Sequence, residues 1–285
     1  MHIQTWQPVR VTPAPGLGAA RHQAHNAALW LARIAHSFAP HDPAGAHLAL
    51  RWDPAHAALV TSDVGGGLSL GLDIAALALQ FREYDRRSPH VLAVDGRTPA
   101  EVEAWILVEL LHRLRDRDRF SKALPFAIPA AMSGDGVHFA QQDNADDLAE
   151  LSRWFQNAAS ALCRACGIAP ALLCCDPHHF DLHVVLSPDG ATPPAADVRH
   201  ARAIRLGFMP GDDKSPEPCF YAVARRDLEP PQGTQATARI GTPRAIDHAD
   251  LVLPASKLAD RPDAAAAVGA FLSDAIAKCR KRIAH

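Results

Sequence analysis

Apolar residues recur at three- and four-residue spacing in four stretches of the chain, a period that predicts four amphipathic helices. The first helix is expected over residues 21–38 and the third over residues 146–166. The second begins at a capping box formed by Thr98 and Glu101, with proline at the first helical position. The last is expected to begin near residue 260 and to run to the C-terminus.

Short apolar runs separated by turn signals follow the first and the third helix. Such runs predict strands with tight connections, because Gly, Pro and Asp interrupt the apolar pattern between them. Successive short strands are typical of an antiparallel meander. In the first half the runs are AHLALRW, AALVTSD, LSLGLDI, ALALQFR and HVLAVD, and in the second half they are ALLCC, FDLHVVL, AIRLGF, CFYAVAR and DLVLP.

Each half of the chain therefore has the order helix, strands, helix. We expect an α+β fold in which helices pack on antiparallel sheet, with two similar halves. Residues 1–20 are predicted to form an irregular N-terminal segment, residues 21–130 the N-terminal α+β half and residues 131–285 the C-terminal α+β half. The two halves are expected to form one compact unit.

The composition is that of a globular protein, with 285 residues of which 48% are hydrophobic and 21% are charged. The formal net charge of −2 argues against nucleic acid as a partner, and no apolar run reaches the roughly 18 residues of a membrane span. We therefore expect neither nucleic acid nor a membrane as a partner. The first residues lack the pattern of a signal peptide, so the six cysteines predict reduced thiols and a cytoplasmic location.

Two segments of the second half, LGFMPGDDKSPEPCFYAVA and LVLPASKLADRPDAAAAVGAFL, carry an unusual set of Gly, Pro and aromatic residues. They resemble the bacterial family called domain of unknown function 5996, which carries Gly-Phe-Trp-Pro-Gly, Glu-Pro-x-Phe-Tyr-x-Tyr, Leu-Pro and Asp-Pro-Asp motifs in this order. That family has no assigned activity, so the resemblance implies an uncharacterised bacterial protein and no particular reaction. The matching residues are Gly207, Phe208, Pro210, Gly211, Glu217, Pro218, Phe220, Tyr221, Leu253, Pro254 and Asp263, and Phe180, Asp181 and Leu182 match a Phe-Asp-Leu strand of the family.

The chain departs from the family pattern at two aromatic positions. Met209 stands where the family has tryptophan, and Val223 stands where it has a second tyrosine. The resemblance is specific over residues 205–221 and 251–272 and looser elsewhere. It therefore predicts a divergent member of the family.

The window CRACGIAPALLCCDPHHFDLH holds four of the six cysteines and three histidines. Its Cys-x-x-Cys spacing is that of a zinc knuckle, or more weakly of a redox pair. The alternative is ordinary packing, because Cys166 continues the apolar stripe of a helix and free cysteine behaves as a small hydrophobe. The candidate structural zinc ligands are Cys163, Cys166, Cys174, Cys175, His178 and His179.

A second metal hypothesis uses the strand at the end of this window. His179, Asp181 and His183 alternate along the expected strand, which would place all three on one face. Two imidazoles and one carboxylate are a ligand set that leaves positions open on a catalytic metal. A divalent metal is the only cofactor that the sequence suggests.

The loop over residues 207–221 is the most distinctive local pattern. If it folds over the sheet, Glu217 and Tyr221 converge with Asp181, a histidine and Phe208 on a pocket for a small molecule. The alternative is a structural turn in which the carboxylate of Glu217 caps backbone amides.

These patterns leave three classes of function open. The leading hypothesis is an uncharacterised protein that binds a small molecule near the loop over residues 207–221. One alternative is a metal-dependent, hydrolase-like enzyme that uses the strand over residues 179–183. The other is a non-catalytic interaction module, dimeric through an apolar helix face.

Overall fold

In the part of the chain that the structure describes, ten strands form one continuous antiparallel sheet, and four α-helices pack on one of its faces. This computed structural model describes residues 5–10, 16–42, 45–128, 138–191, 202–225, 245–258 and 261–284. The helices are α1 (Leu17–Phe38), α2 (Pro99–His112), α3 (Ala145–Cys166) and α4 (Ala264–Ala284). The strands are β1 (Leu50–Asp53), β2 (Ala58–Val60), β3 (Leu68–Asp73), β4 (Ala78–Glu83), β5 (Arg86–Ala93), β6 (Cys174–Asp176), β7 (Asp181–Leu186), β8 (Ala203–Met209), β9 (Cys219–Arg225) and β10 (Leu251–Pro254).

The strand order reflects two meanders that meet at the centre of the sheet. The order is β10-β9-β8-β7-β6-β1-β2-β3-β4-β5, and every neighbouring pair is antiparallel. The first strands of the two halves pair with each other, with Leu50 opposite Cys175 and Arg51 opposite Cys174. Among the described residues, each half therefore consists of an α-helix, five strands and a second α-helix. The two halves are related as a two-fold rotation about the β1–β6 pair would relate them. The predicted α+β class with antiparallel sheet is confirmed.

The start of α2 matches the predicted signal, and the starts of α1 and α4 each differ from the prediction by four residues. Thr98 accepts a hydrogen bond from the backbone N–H of Glu101, and the Glu101 carboxylate accepts one from the backbone N–H of Thr98, which completes the capping box. Helix α1 begins at Leu17, four residues before the predicted start, so the segment over residues 1–20 is not wholly irregular. Helix α4 begins at Ala264. The predicted boundary between the halves, after residue 130, lies outside the described residues.

Strand alternation sends one set of side chains toward the helices. On β7 these are Leu182 and Val184, and on β8 and β9 they include Phe208 and Phe220. The ring of Trp154 on α3 stacks on Phe208 with the centroids 5.8 Å apart. Burying each such side chain stabilises the fold by roughly 1.5–3 kcal/mol. Among the described residues, no helix combines the length and apolar character needed to cross a bilayer.

The other face of the sheet carries no α-helix among the described residues and has a different chemistry. In the second half it holds a small apolar cluster that includes Met209, Cys219 and Val223. Beside this cluster lie charged and polar side chains from β7, β8 and β9. We call this surface the helix-free face, and the candidate site lies on it.

Candidate functional site

Tyr221 crosses from its own strand to the strand after next by passing over a glycine. In the sheet register, Gly207 on β8 lies opposite Tyr221 on β9 and opposite His183 on β7. A Cβ atom at position 207 would lie 2.4 Å from the Tyr221 ring, so only glycine leaves space for the phenol. The glycine of the Gly-Phe-Met-Pro-Gly segment is therefore required for the path of this side chain.

The phenol reaches a buried ion pair between neighbouring strands. Asp181 is 1% exposed, and Arg205 Nη2 donates to its Oδ1 and Oδ2 at 3.1 and 2.8 Å. The Tyr221 hydroxyl donates to Oδ2 of Asp181, and Arg205 Nε donates to the Tyr221 oxygen at 3.1 Å. Each buried polar group of this cluster thus has a partner, which is the condition for keeping charges inside a fold.

His183 completes the cluster as an acceptor. Its Nδ1 lies 3.0 Å from Arg205 Nη2 and 3.6 Å from Asp181 Oδ2. Burial, reinforced by the positive charge of Arg205, lowers the pKa of His183 to about 4. A neutral ring that accepts at Nδ1 carries its proton on Nε2. We call Asp181, His183, Arg205 and Tyr221 the polar cluster.

The pKa shifts fix the charges of the other three groups. Burial acts to raise the pKa of Asp181, but the Arg205 charge, His183 and the hydrogen bonds hold it below its usual range. Burial opposes the charge of Arg205, but Asp181 raises its pKa. Burial also raises the pKa of Tyr221 well above its usual value. At neutral pH the polar cluster therefore holds one ion pair with a neutral phenol and a neutral imidazole.

Two of the four predicted ligand-binding residues lie elsewhere. Phe208 faces the helices, where it packs against Trp154 and Phe220 on the opposite side of the sheet from the polar cluster. Glu217 lies in the loop before β9, and its Oε1 accepts a hydrogen bond from the backbone N–H of Ser256. Glu217 therefore takes the capping role that the sequence left open as the alternative.

The three predicted metal ligands of this strand do not share one strand face. Strand β7 begins at Asp181, so His179 lies in the turn that joins β6 to β7. Phe180 adopts a positive φ of 57° in this turn, which breaks the alternation between His179 and Asp181. The His179 ring stacks on His178 with the centroids 4.1 Å apart. The structure brings together Asp181 and His183, and it does not bring His179 to them.

The cysteine window does not form a zinc knuckle. Cys174 and Cys175 are consecutive in β6 and point to opposite faces of the sheet, so they cannot hold one ion together. Cys163 and Cys166 lie in the last turns of α3, and burial raises their pKa values to about 11 and about 12. All six cysteines are free. The packing interpretation of this window accounts for their positions.

Arg205 is the residue of the polar cluster that the sequence did not identify. It stands between apolar residues in AIRLGF, and a buried strand tolerates such an arginine only with a partner. The partner can be identified only from the pairing register of β7 and β8. That register aligns Arg205 with Val185 and places Asp181 within reach on the same face. The isolated arginine in an apolar strand was the available signal.

A related arrangement occurs in the first half on the same face. Arg82 on β4 passes Gly71 on β3, where an added Cβ would lie 3.1 Å from its Nε, and Nη1 donates to Asp53 Oδ2 at 2.6 Å. His56 Nδ1 lies 2.7 Å from the same oxygen. Beside these groups the sheet surface has a pocket of about 130 Å³. Gly71 and Gly207 both lie in the third strand of their halves. In each half, a side chain of the fourth strand passes over this glycine and contacts an aspartate.

Comparisons with protein-family models, with curated proteins and with solved structures gave no match for the chain.

Proposed function

We propose that the chain binds a small anionic molecule, such as a carboxylate or a phosphate, at the polar cluster on the helix-free face. The observation that carries this proposal is the imbalance between donors and acceptors in the cluster. The two oxygens of Asp181 accept from Arg205 and Tyr221, and His183 Nδ1 accepts from Arg205. The two N–H groups on Nη1 of Arg205 are engaged by none of these acceptors.

The remaining donors can be counted from the chemistry of the side chains. A guanidinium group has five N–H bonds. In Arg205, Nε–H is directed to Tyr221 and Nη2 serves Asp181 and His183, which leaves the two N–H bonds of Nη1. The neutral ring of His183 also carries an N–H at Nε2. Both side chains keep contact with solvent, at 15% and 14% exposure, so an oxyanion from solution can reach them.

The protonation states of Tyr221 and His183 at neutral pH favour ligand binding over acid–base catalysis. Burial raises the pKa of Tyr221 well above its usual value, which makes the phenol a weak proton donor. The pKa of His183, lowered to about 4, makes the imidazole a weak base at neutral pH. Arg205 and His183 are therefore proposed as binding groups and Asp181 and Tyr221 as positioning groups.

We also propose the family, the cellular location and the oligomeric state of the chain. Membership of the 5996 family is supported by the roles of its motif residues, since Gly207 makes room for Tyr221 and Glu217 caps Ser256. A cytoplasmic location is supported by six free cysteines. A homodimer is supported by two exposed apolar side chains of α2, Val108 and Leu111.

Calorimetric titration of the purified protein with inorganic phosphate and with succinate tests the proposal. The expected result is saturable binding of at least one anion by the native chain. An Arg205→Lys variant keeps a positive charge for Asp181 but loses the two Nη1 donors. Its binding is expected to weaken about 10- to 100-fold, because a hydrogen bond to a charged group contributes about 1.5–3 kcal/mol.

Arg82→Lys is the matched control, since Arg82 is also a buried arginine paired with an aspartate on the same face. Phe208→Leu adds a control on the opposite face of the sheet. Both are expected to bind the anion as the native chain does. Absence of binding by the native chain, or equal weakening by Arg205→Lys and Arg82→Lys, would contradict the proposal.

A further inference from the structure

Two histidines and a glutamate converge where α2 crosses the edge of the sheet. His90 lies on β5, and Glu109 and His112 lie in the last turn of α2. One ligand atom from each lies within 4.8 Å of the other two. Among the described residues this is the one group of three such side chains with that proximity. Glu109 and His112 are three positions apart on one helix, and His90 lies 19 positions before Glu109, so the group forms only when α2 packs against β5.

The distances are close to those of a metal site. Nδ1 of His90 and of His112 lie 3.0 and 3.9 Å from Oε1 of Glu109. A tetrahedral ion with bonds of about 2.0–2.1 Å holds its ligand atoms about 3.3 Å apart. Small rotations of two exposed imidazole rings are enough to close the difference, since both histidine side chains are 58% exposed.

The carboxylate is fixed for this role by its other oxygen. Glu109 is 3% exposed, and Arg113 Nη1 donates to its Oε2 at 2.5 Å. Arg113 is in turn paired with Glu83, with Nε to Oε1 at 3.0 Å. Oε2 is thus occupied, and Oε1 is turned toward the imidazoles. A ligand oriented by a hydrogen-bonded neighbour is typical of metal centres in proteins.

The position on the helix also favours a cation. Helix α2 ends at His112, so the negative end of its dipole lies at the cluster. We propose that His90, Glu109 and His112 bind a divalent transition metal, with Zn²⁺ the best match to two imidazoles and one carboxylate, and with water in the remaining position. We call this group the edge metal site.

The edge metal site is independent of the anion site proposed above. His90 and Asp181 lie on strands that are six strand spacings apart, or about 29 Å. The edge metal site faces α2 on the helix side of the sheet, and the polar cluster lies on the other face. Metal binding at the edge metal site can therefore fail or succeed independently of anion binding at the polar cluster.

The test is titration of metal-stripped protein with Zn²⁺, followed by calorimetry, and with Co²⁺, followed by its visible absorption. The native chain is expected to bind one equivalent tightly, and the Co²⁺ complex is expected to show the intense visible bands of a site with fewer than six ligands. In His90→Ala and in His112→Ala, binding is expected to weaken by about 100-fold or more, because loss of outer partners alone costs about 10- to 100-fold.

His56→Ala is the matched control. His56 also shares a carboxylate with an arginine, through Asp53 and Arg82, but no second imidazole is part of that group. This variant is expected to bind one equivalent of Zn²⁺ as tightly as the native chain does. Thermal unfolding without metal checks that all variants are folded, which is expected because the substituted rings are exposed.

Two outcomes would overturn the inference. One is native protein that shows no saturable metal binding at near-neutral pH. The other is tight binding that survives in the His90→Ala/His112→Ala double variant, which would place the metal among the other histidines of the chain.

Discussion

The phenol ring of Tyr221 lies across Gly207, and the absence of a side chain on that glycine lets the hydroxyl reach Asp181 one strand further on. The relationship joins β7, β8 and β9 through side chains in addition to their backbone ladder. It also explains why a glycine is found in the interior of a strand, where it is otherwise unfavourable.

Gly207→Ala is expected to destabilise the protein by about 1–3 kcal/mol, the usual cost of adding volume to a filled site. The added Cβ would lie 2.4 Å from the phenol ring, so the ring must leave Asp181. Urea unfolding measures the change. Gly71→Ala is the comparison, because its Cβ would lie 3.1 Å from a flexible arginine side chain and is expected to cost less. Equal losses for the two variants would show that the crossing of Tyr221 is not the cause.

Asp181→Asn is expected to be far more costly than Tyr221→Phe. Removing the charge of Asp181 leaves Arg205 buried without its counter-ion, a change that costs about 3–5 kcal/mol. Tyr221→Phe removes one hydrogen bond to a carboxylate and is expected to cost about 1.5–3 kcal/mol. Unfolding free energies of both variants check the order, and the reverse order would mean that the ion pair is not the main stabilising contact of the polar cluster.

Stability is expected to fall as the pH decreases from about 6.5 to about 4. Burial lowers the folded-state pKa values of His183 and of His25, which lies on α1, to about 4, against about 6.5 in an unfolded chain. Between these values the unfolded chain binds protons that the folded chain does not, so acid favours unfolding. Each histidine contributes a slope of at most about 1.4 kcal/mol per pH unit.

His183→Gln tests this dependence, because the amide oxygen can still accept from Arg205 but the side chain does not titrate. Urea unfolding between pH 7 and pH 4.5 is expected to give a shallower dependence in the variant than in the native chain. Adding His25→Gln is expected to reduce the slope further. An unchanged slope in His183→Gln would show that folding does not lower the pKa of this ring.

The local signals of the sequence predicted the elements but not the site. Alternation and turn residues located the strands, and the capping box of Thr98 and Glu101 located the start of α2. Neither signal contains the register, and the polar cluster exists only because the register sets Arg205 beside Asp181. The predicted strand extends too far, to His179, for a related reason, since the positive φ of Phe180 in the turn has no marker in a pattern of apolar residues.

The thiols of Cys163 and Cys166 are expected to resist modification in the folded protein. Burial raises their pKa values to about 11 and about 12, so almost no thiolate is present at pH 8. Labelling with iodoacetamide at pH 8, read by mass spectrometry of the peptides, is expected to be slow for the native chain and fast in urea. Rapid labelling of these two cysteines in the folded chain would reopen the redox hypothesis for this pair, since reactive thiolates are the property that it requires.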